Sequence, residues 1–234
     1  SGDIHFLNAV GGSSVVIAAS NGADIKMLSM YSVAPKAFAM FSNDASLNTP
    51  QSLKGLTIAG PKGTNLHELL ASYLATAGMT MNDVNFISMT IPAATAALES
   101  KSIDAALVGG PAAYNMEKSG KHKICDGEGL ISSSIVTACS QKFADSNPSL
   151  VKTFLETQKQ IVKSMNEDRQ KSFETTANAL GLDVSAIEEM YALYDFDTEF
   201  TEEKLDALQG TERFLYDAGL IENHVDVKSL VLKQ

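Results

Sequence analysis

The chain has 234 residues, 44% hydrophobic and 20% charged, with a formal net charge of −10 and a pI near 4.8. These values are ordinary for a globular protein of one large or two small domains, and no run approaches the roughly 18 uninterrupted apolar residues of a membrane-spanning helix. The acidic balance argues against a nucleic-acid partner but leaves room for an anionic small ligand, which backbone amides and hydroxyls can hold.

The first part of the chain alternates strand, turn and helix signals. Five elements are predicted before residue 43: a strand at Ile4–Leu7, a glycine-containing turn at Val10–Ser14, a helix at Val15–Ser20, and strands at Lys26–Met30 and Ala37–Phe41. The polar, turn-rich segment Asn43–Ser52 then predicts the first crossing of the chain between two domains.

The most informative segment is Leu53–Met79, which contains a buried strand, a glycine-containing turn and the start of an amphipathic helix. Thr57–Ala59 is β-prone, Gly60–Gly63 breaks the strand, and Thr64 or Asn65 is placed to cap the helix. The helix carries apolar residues at helical spacing: Leu66, Leu69, Leu70, Tyr73, Leu74 and Ala77. Its start leaves backbone N–H groups unpaired at the positive end of the helix dipole, which favours an anion or a polar ligand.

Strands and helices continue to alternate to about residue 124. The predicted elements are strands at Val84–Ser88, at Ala105–Val108 and around Ile124, with helices at Ala93–Glu99 and Ala112–Ser119. This alternation is typical of βαβ units with a parallel sheet.

Helices dominate the last hundred residues. After a strand at Ser134–Ala138, helices are predicted from Pro148 and at Gln170–Leu180, Ser185–Leu193 and Thr201–Ala218. Ser185 with Glu188 fits a capping box, and Gly181 and Gly219 fit the ends of helices.

The simplest assembly is an α/β fold of two lobes, each a mostly parallel sheet flanked by helices. Lobe 1 combines residues 1–46 with 128–234, and lobe 2 comprises residues 47–127. Because the chain crosses twice between the lobes, we expect a hinge and an interlobe cleft.

Cysteine and histidine give weak signals. Cys125 and Cys139 lie in separate strand-like segments, so a disulfide and two buried free thiols both remain open. The four histidines show no HxxxH or CxxC spacing, which predicts no metal site. No GxSxG elbow, Walker A lysine or HExxH motif is present, so no catalytic residue is predicted.

Several stretches together resemble a known family: SGDIHFLNAVGGSSVVIAASNGADIKML, LKGLTIAGPKGTNLHELLASYLATAGMTMNDVNFI, AATAALESKSIDAALVGGP, KFADSNPSLVKTFLETQKQIV and EKLDALQGTERFLYDAGLI. The chain resembles the solute-binding proteins of bacterial ABC importers, in the NMT1/THI5-like branch that includes nitrate, alkanesulfonate and taurine binders. The stretches follow the family's order and cover most of the chain.

The resemblance implies a type II periplasmic-binding-protein fold that closes on a small polar or anionic solute and delivers it to a membrane permease. It implies ligand contacts from three cleft-facing loops: Gly11, Gly12, Ser13 and Ser14; Lys62, Gly63, Thr64 and Asn65; and Gly110 with Pro111. The alternative for each loop is structural, because glycine permits positive φ and a Ser or Thr before a helix caps it. The implied protein is a monomer without cofactor, periplasmic or extracellular, lipid-anchored or free.

The chain departs from this family at its beginning. Family members normally have a strand and a helix before the segment matching SGDIHF, so we expect the given sequence to lack one unit of lobe 1 and some ligand contacts. Two other functions remain open: an enzyme on the same scaffold, of the pyrimidine-precursor or menaquinone-pathway type, and an extracellular ligand-sensing domain.

Overall fold

The computed structural model describes residues 4–233 and confirms an α/β architecture built on two mixed sheets. The strands are β1 Leu7–Gly11, β2 Lys26–Val33, β3 Phe38–Ser42, β4 Thr57–Gly60, β5 Asn85–Ser88, β6 Ala105–Gly109, β7 His122–Asp126 and β8 Ser134–Cys139. The helices are α1 Gly12–Ser20, α2 Asn65–Ala75, α3 Ile91–Glu99, α4 Pro111–Lys118, α5 Gln141–Ser146, α6 Pro148–Glu167, α7 Arg169–Leu180, α8 Val184–Tyr191, α9 Glu202–Asp217 and α10 Val227–Leu230. Residues 1–3 and 234, the ends of the predicted lobe 1, lie outside the described residues.

The three-stranded sheet has the order β1-β8-β2, and β8 runs antiparallel to both neighbours. The prediction of a mostly parallel sheet is wrong here, because β8 enters at the edge where β1 and β2 finish. Its first residues, Ser134 and Ile135, pair with Val33 and Gly11 respectively. The ends of β1 and β2 therefore lie beside the start of β8 at one edge.

The five-stranded sheet has the order β5-β4-β6-β3-β7. β5, β4 and β6 are parallel as predicted, whereas β3 is antiparallel to β6 and β7. Because β3 pairs in this sheet, the first crossing runs through Ala34–Ala37 and the prediction of a crossing at Asn43–Ser52 is wrong. Strand pairing therefore favours moving the proposed lobe boundary to the Ala34–Ala37 connection as well. From here on, lobe 1 denotes the part of the chain packed on the three-stranded sheet, and lobe 2 denotes the part packed on the five-stranded sheet.

The two crossings lie side by side. The second crossing runs between β7 and β8, and its Ser133 hydroxyl accepts a hydrogen bond of 3.1 Å from the Ala34 N–H of the first. Ser133 is fully buried and has a φ of 46°, a left-handed conformation that is uncommon outside glycine. This bond holds the two connections together at the junction of the lobes.

Each lobe has its own hydrophobic core. In lobe 2 the side chains of β4 alternate, so that Ile58 packs with Leu69 of α2 on one face while Ala59 packs with Leu98 of α3 on the other. In lobe 1, α1 and α9 bury Val15 and Leu208 in one cluster beside the three-stranded sheet. Burial of each large side chain contributes about 1.5–3 kcal/mol relative to exposure.

Several predicted element boundaries differ from the structure. β1 begins at Leu7 rather than Ile4, and α1 begins at Gly12 directly after β1, so the predicted separate turn at Val10–Ser14 does not form. A Cβ at Gly12 would lie 2.7 Å from Leu208 Cδ1 and 3.1 Å from the Ser134 carbonyl oxygen, so a larger residue here would have to displace the Leu208 side chain and crowd the backbone of β8. The predicted Ser185 cap is also wrong, because Asp183 precedes α8.

Candidate functional site

The start of α2 has the predicted capped geometry. Gly63 has a φ of 70°, which places it in the left-handed region that glycine adopts without strain. Thr64 precedes the helix, where its Oγ1 accepts from the Leu66 N–H at 3.2 Å and donates to the Pro61 carbonyl oxygen at 2.9 Å. The prediction of a capped helix start is therefore confirmed, and one of the free N–H groups is satisfied by the cap.

His67 supports the same turn from inside the helix. Its Nδ1 accepts from the Gly63 N–H at 3.3 Å, and its ring stacks on Phe86 with centroids 4.8 Å apart. Burial lowers the pKa of His67, and the nearby Lys62 ammonium lowers that pKa further. His67 is therefore neutral at pH 7, as an Nδ1 acceptor must be.

The start of α1 meets the start of α2 across the two lobes. The Ser14 hydroxyl donates to the Gly63 carbonyl oxygen at 2.7 Å, and the Ser13 hydroxyl donates to Asn65 Oδ1. The Asn65 amide in turn donates to the Ser134 carbonyl oxygen at 3.4 Å. Ser13 and Asn65 are only 1% and 3% exposed, so these side chains are occupied in contacts between the lobes.

The third predicted loop lies at the same edge of the five-stranded sheet. β4 and β6 are parallel neighbours, so the loops that follow Gly60 and Gly109 start side by side. Gly110 has a φ of 57°, and the exposed Pro111 opens α4. The structure thus brings Gly11–Ser14 against Gly63–Asn65 and places Gly110 elsewhere along the junction.

Gly110 faces an aromatic cluster around Phe196, in which Tyr194 was not identified from the sequence. A Cβ on Gly110 would lie 3.7 Å from the Tyr194 hydroxyl. Tyr194 stacks on Phe196 at 5.4 Å, and Tyr31 meets Phe196 edge-on at 6.4 Å. Burial raises the pKa of Tyr194, so its hydroxyl stays protonated. The available signal was the run of aromatic residues in the polar segment after α8.

A further contact between the lobes joins α4 to α8. Lys118 forms an ion pair of 2.7 Å with Glu189, and both side chains are about half exposed. A cavity of about 280 Å³ lies beside this pair, with Gly110, Tyr114 and Tyr194 in its wall. Tyr114 of α4 packs against the buried side chains of α7 and α8, such as Phe173.

Glu68, one turn into α2, is the buried carboxyl nearest to this site. It is 3% exposed, and its Oε2 is buried without a hydrogen-bond partner. Burial raises the pKa of Glu68 to about 7, while the hydroxyls of Thr211 and Ser13 oppose that rise. A cavity of about 270 Å³ borders Glu68 together with Ser132 and Thr211. Sequence reasoning missed this residue, because an acidic side chain in the first turn of a helix is ordinarily a surface partner of the helix dipole.

We expect the stability of the protein to fall as the pH rises from about 4.5 to 7. Folded Glu68 keeps its proton up to about pH 7, whereas the unfolded chain releases it near the ordinary pKa of 4.5, so rising pH favours unfolding in this window. This shift corresponds to on the order of 3 kcal/mol. Urea unfolding between pH 5 and 8 should therefore show that Glu68→Gln gains stability over the parent protein as the pH rises. Glu188→Gln, on an exposed carboxylate, should follow the parent curve, and parallel curves for Glu68→Gln would contradict the prediction.

Another cavity lies away from these contacts. It has about 880 Å³ and borders β2, α6 and the residues near Phe200. None of the ten predicted site residues is among the described residues that line it. Its size alone does not make it the ligand site.

The cysteines are free thiols in different sheets, Cys125 in β7 and Cys139 in β8. Burial raises the pKa of Cys125 to about 12, which makes it an inert thiol at neutral pH. Between residues 4 and 233, no group of three or more His, Cys, Asp or Glu side chains is arranged to hold a metal ion. No helix in that range has the length and apolar character to cross a membrane.

Comparison with known proteins finds a relative in Escherichia coli strain K12, described as an aliphatic sulfonates-binding protein. The two are 24% identical over 183 residues, which cover 77% of this chain and 57% of that protein. The chain therefore spans a little over half the length of this curated relative.

Solved structures show the same fold. The alkanesulfonate-binding protein SsuA from Xanthomonas axonopodis pv. citri, bound to MOPS, matches 100% of this chain and 82% of its own, with a TM-score of 0.88 and 26% identity. The desulfurization enzyme DSZB matches 96% of this chain and 82% of its own, with a TM-score of 0.66 and 13% identity. The sequence model of the NMT1/THI5-like family matches residues 7–172, more than two thirds of the chain. The chain therefore belongs to the NMT1/THI5-like family, as the resemblance predicted.

Proposed function

We propose that the protein is the solute-binding component of an ABC-type importer, which captures a small sulfonate or related oxyanion between its lobes and delivers it to a membrane permease. The proposed protein acts as a monomer in the periplasm or outside the cell, either free or lipid-anchored. Gly11–Ser14, Lys62–Asn65, Gly110 and Pro111 are the proposed ligand contacts.

The observation that carries this proposal is the meeting of two helix starts from opposite lobes. The Ser14 to Gly63 bond of 2.7 Å holds the start of α1 against the start of α2. Both helix starts turn the positive end of a dipole towards the junction, and α1 has no side-chain cap on its first N–H groups, whereas at α2 the Leu66 N–H is already taken by Thr64. Lys62 is exposed beside them and adds a positive charge. The names of the E. coli and Xanthomonas relatives support a sulfonate as the anion.

The side chains refine this site. The polar groups of three side chains, Ser13, Ser14 and Asn65, form hydrogen bonds to the opposite lobe, so we assign these side chains to lobe closure. The ligand is then held chiefly by backbone N–H groups and Lys62. Tyr194 joins the proposed site as a hydroxyl donor next to Gly110. This arrangement binds an oxyanion without a nucleophile.

A thermal-shift panel of butanesulfonate, taurine, nitrate and pentanoate tests the ligand class. A ligand at about 100 times its Kd adds about 2.7 kcal/mol of stability, which raises the Tm of a protein of this size by about 5–10 °C. We expect this shift with butanesulfonate, and pentanoate is the carboxylate of matched length. If none of the four ligands changes the Tm, the binding proposal is wrong.

Binding is separated from catalysis by recovering the ligand. The fold is shared with an enzyme, so fold alone does not decide the question. We expect mass spectrometry to return butanesulfonate unchanged after prolonged incubation with the protein. Release of sulfite, or any other turnover product, would favour the enzymatic alternative.

We expect Tyr194→Phe to weaken butanesulfonate binding several-fold. The variant keeps the ring on Phe196 and removes only the hydroxyl beside Gly110, whose hydrogen bond is worth about 1 kcal/mol. Isothermal titration calorimetry measures the change in Kd. Tyr191→Phe is the matched control, because its hydroxyl bonds Asn166 at 3.2 Å and not the site. Equal affinities for the two variants would remove Tyr194 from the site.

A further inference from the structure

The segment of residues 194–199, called the strap below, leads from α8 to α9 and bears two of the aromatic residues beside Gly110. Tyr194 begins the strap, and its hydroxyl lies 3.7 Å from the place that a Cβ on Gly110 would take. Its ring stacks on Phe196 of the same strap. The position of the Tyr194 hydroxyl therefore depends on what holds the strap.

The strap lies along the outer edge of β2, the edge that β8 does not cover. Val33 and Asp195 exchange two backbone hydrogen bonds, of 2.8 and 2.9 Å, and the Met30 N–H donates to the Thr198 carbonyl oxygen at 3.1 Å. The pairing at Asp195 is an isolated bridge and not part of a strand. Backbone bonds thus attach the strap to β2 at separate points instead of along a continuous ladder.

Lys204 of α9 holds the strap between these points. Its Nζ donates to Asp197 Oδ2 at 2.8 Å and to the Asp197 carbonyl oxygen at 3.3 Å, and it forms an ion pair of 3.4 Å with Asp195 Oδ2. The Lys204 side chain is 13% exposed, so its charge is screened less by water than that of an ordinary surface lysine.

The same two carboxylates also fold the strap. Asp195 Oδ1 accepts from the Asp197 N–H at 3.0 Å, and Asp197 Oδ1 accepts from the Glu199 N–H at 3.2 Å, which are the local bonds of Asx turns. The hydrogen bond from Lys204 lowers the pKa of Asp197, so this carboxylate is charged at neutral pH. Each carboxylate therefore uses one oxygen to turn the strap and the other to hold the Lys204 ammonium.

Lys204 has a firm base in lobe 1. Its N–H donates to Thr201 Oγ1 at 3.2 Å in the cap of α9. The neighbouring residues Leu205 and Leu208 are 9% and 1% exposed and belong to the core of lobe 1. The ammonium group thus ties the strap to the packed part of the lobe.

We propose that Lys204 is a positioning residue for solute capture, which fixes the strap on β2 and thereby holds the Tyr194 hydroxyl beside Gly110 of the other lobe. Lys204 acts through the strap and makes no ligand contact. The inference rests on the proposed function, because Tyr194 is one of the proposed ligand contacts.

Calorimetry with butanesulfonate tests the role of the charge. Lys204→Met keeps an unbranched side chain of similar length without the ammonium, and we expect it to weaken binding several-fold, as Tyr194→Phe does. Lys204→Arg should keep most of the affinity, because a guanidinium can donate to both carboxylates. Lys228→Met is the matched control and should bind like the parent protein, since Lys228 also pairs with two carboxylates, those of Glu202 and Asp206, away from the strap.

A double-mutant cycle shows whether Lys204 acts through Tyr194. If it does, the variant with both Lys204→Met and Tyr194→Phe should bind no more weakly than the weaker single variant. A merely structural role would multiply the two losses. Multiplied losses, or equal losses in Lys204→Met and Lys228→Met, overturn the proposal. If Lys204→Met does not fold, Asp197→Asn takes its place in the cycle, because it keeps an oxygen for the Glu199 N–H and removes the charge that Lys204 holds.

A measurement without ligand separates this inference from the proposed function. Amide hydrogen exchange followed by NMR reports on the Met30 and Val33 N–H groups, which donate to the strap. Both should exchange about tenfold faster in Lys204→Met than in the parent protein, whereas Lys204→Arg and Lys228→Met should keep the parent rates. If butanesulfonate does not bind the parent protein, the proposed sulfonate function fails, and these rates still decide whether Lys204 fixes the strap. Unchanged exchange in Lys204→Met overturns the inference.

Discussion

Gly63→Val is expected to weaken butanesulfonate binding at least tenfold while leaving the circular dichroism spectrum nearly unchanged. Gly63 has a φ of 70°, where a β-branched residue is strained by about 1–2 kcal/mol. A valine that escapes this strain rotates the turn, which removes the Gly63 carbonyl oxygen from Ser14 and displaces the Thr64 cap. Since a tenfold change in Kd is about 1.4 kcal/mol, the strain alone is of the required size.

Gly55→Val is the matched control for this prediction. Gly55 has a φ of 75°, and a Cβ there would have no neighbouring atom within 4 Å, so the same substitution brings the same strain at a distance from the site. Gly63 is similarly open, with Ile17 Cδ1 as its nearest neighbour at 3.8 Å, so neither variant creates a clash. Calorimetry should show lost affinity for Gly63→Val alone. An equal loss in both variants would mean that strain anywhere in lobe 2 weakens binding.

Leu208→Ala is expected to lower the free energy of unfolding by about 2–5 kcal/mol, which corresponds to a fall in Tm of about 5–15 °C. Leu208 is 1% exposed and belongs to the same cluster as Val15 and Met30 in the core of lobe 1. Its Cδ1 also occupies the space above Gly12. Truncation therefore leaves a cavity beneath the start of α1.

Urea unfolding with Leu180→Ala as the control measures this effect. Leu180 ends α7 and is 48% exposed, so the same truncation there should change stability by no more than about 0.5 kcal/mol. A loss below about 1 kcal/mol for Leu208→Ala would show that α9 moves inward to fill the space, and would contradict the rigid packing inferred at Gly12.

The parts of the fold that were predicted well are those determined by residues close together in the sequence. The β4 strand, the Gly63 turn and the Thr64 cap lie close together in the chain, so turn chemistry and helix periodicity identify them together. The family resemblance rests on several such stretches in order, and it is confirmed. The predicted ligand residues themselves stay a prediction.

The parts that the sequence did not predict depend on distant pairing. The polar segment after β3 has the composition of a domain crossing, so the sequence favours placing β3 in lobe 1. In the structure β3 pairs with β6 and β7 of lobe 2, and these two strands are far from β3 in the chain. Glu68 and Tyr194 escape prediction for a related reason. Glu68 is buried beside α9, and Tyr194 is buried in the aromatic cluster around Phe196. Both α9 and this cluster are far in the chain from the loops of the candidate site.

The aromatic cluster beside Gly110 gives the molecule a built-in optical reporter. The chain contains no tryptophan and six tyrosines, and three of these, Tyr31, Tyr191 and Tyr194, surround Phe196 with centroids 5.4–6.4 Å away. Half of the tyrosines, the residues that dominate the intrinsic fluorescence of a chain without tryptophan, therefore lie around Phe196 at the junction between the lobes. Stopped-flow emission at the tyrosine wavelength can follow solute capture in real time, with no dye and no engineered label.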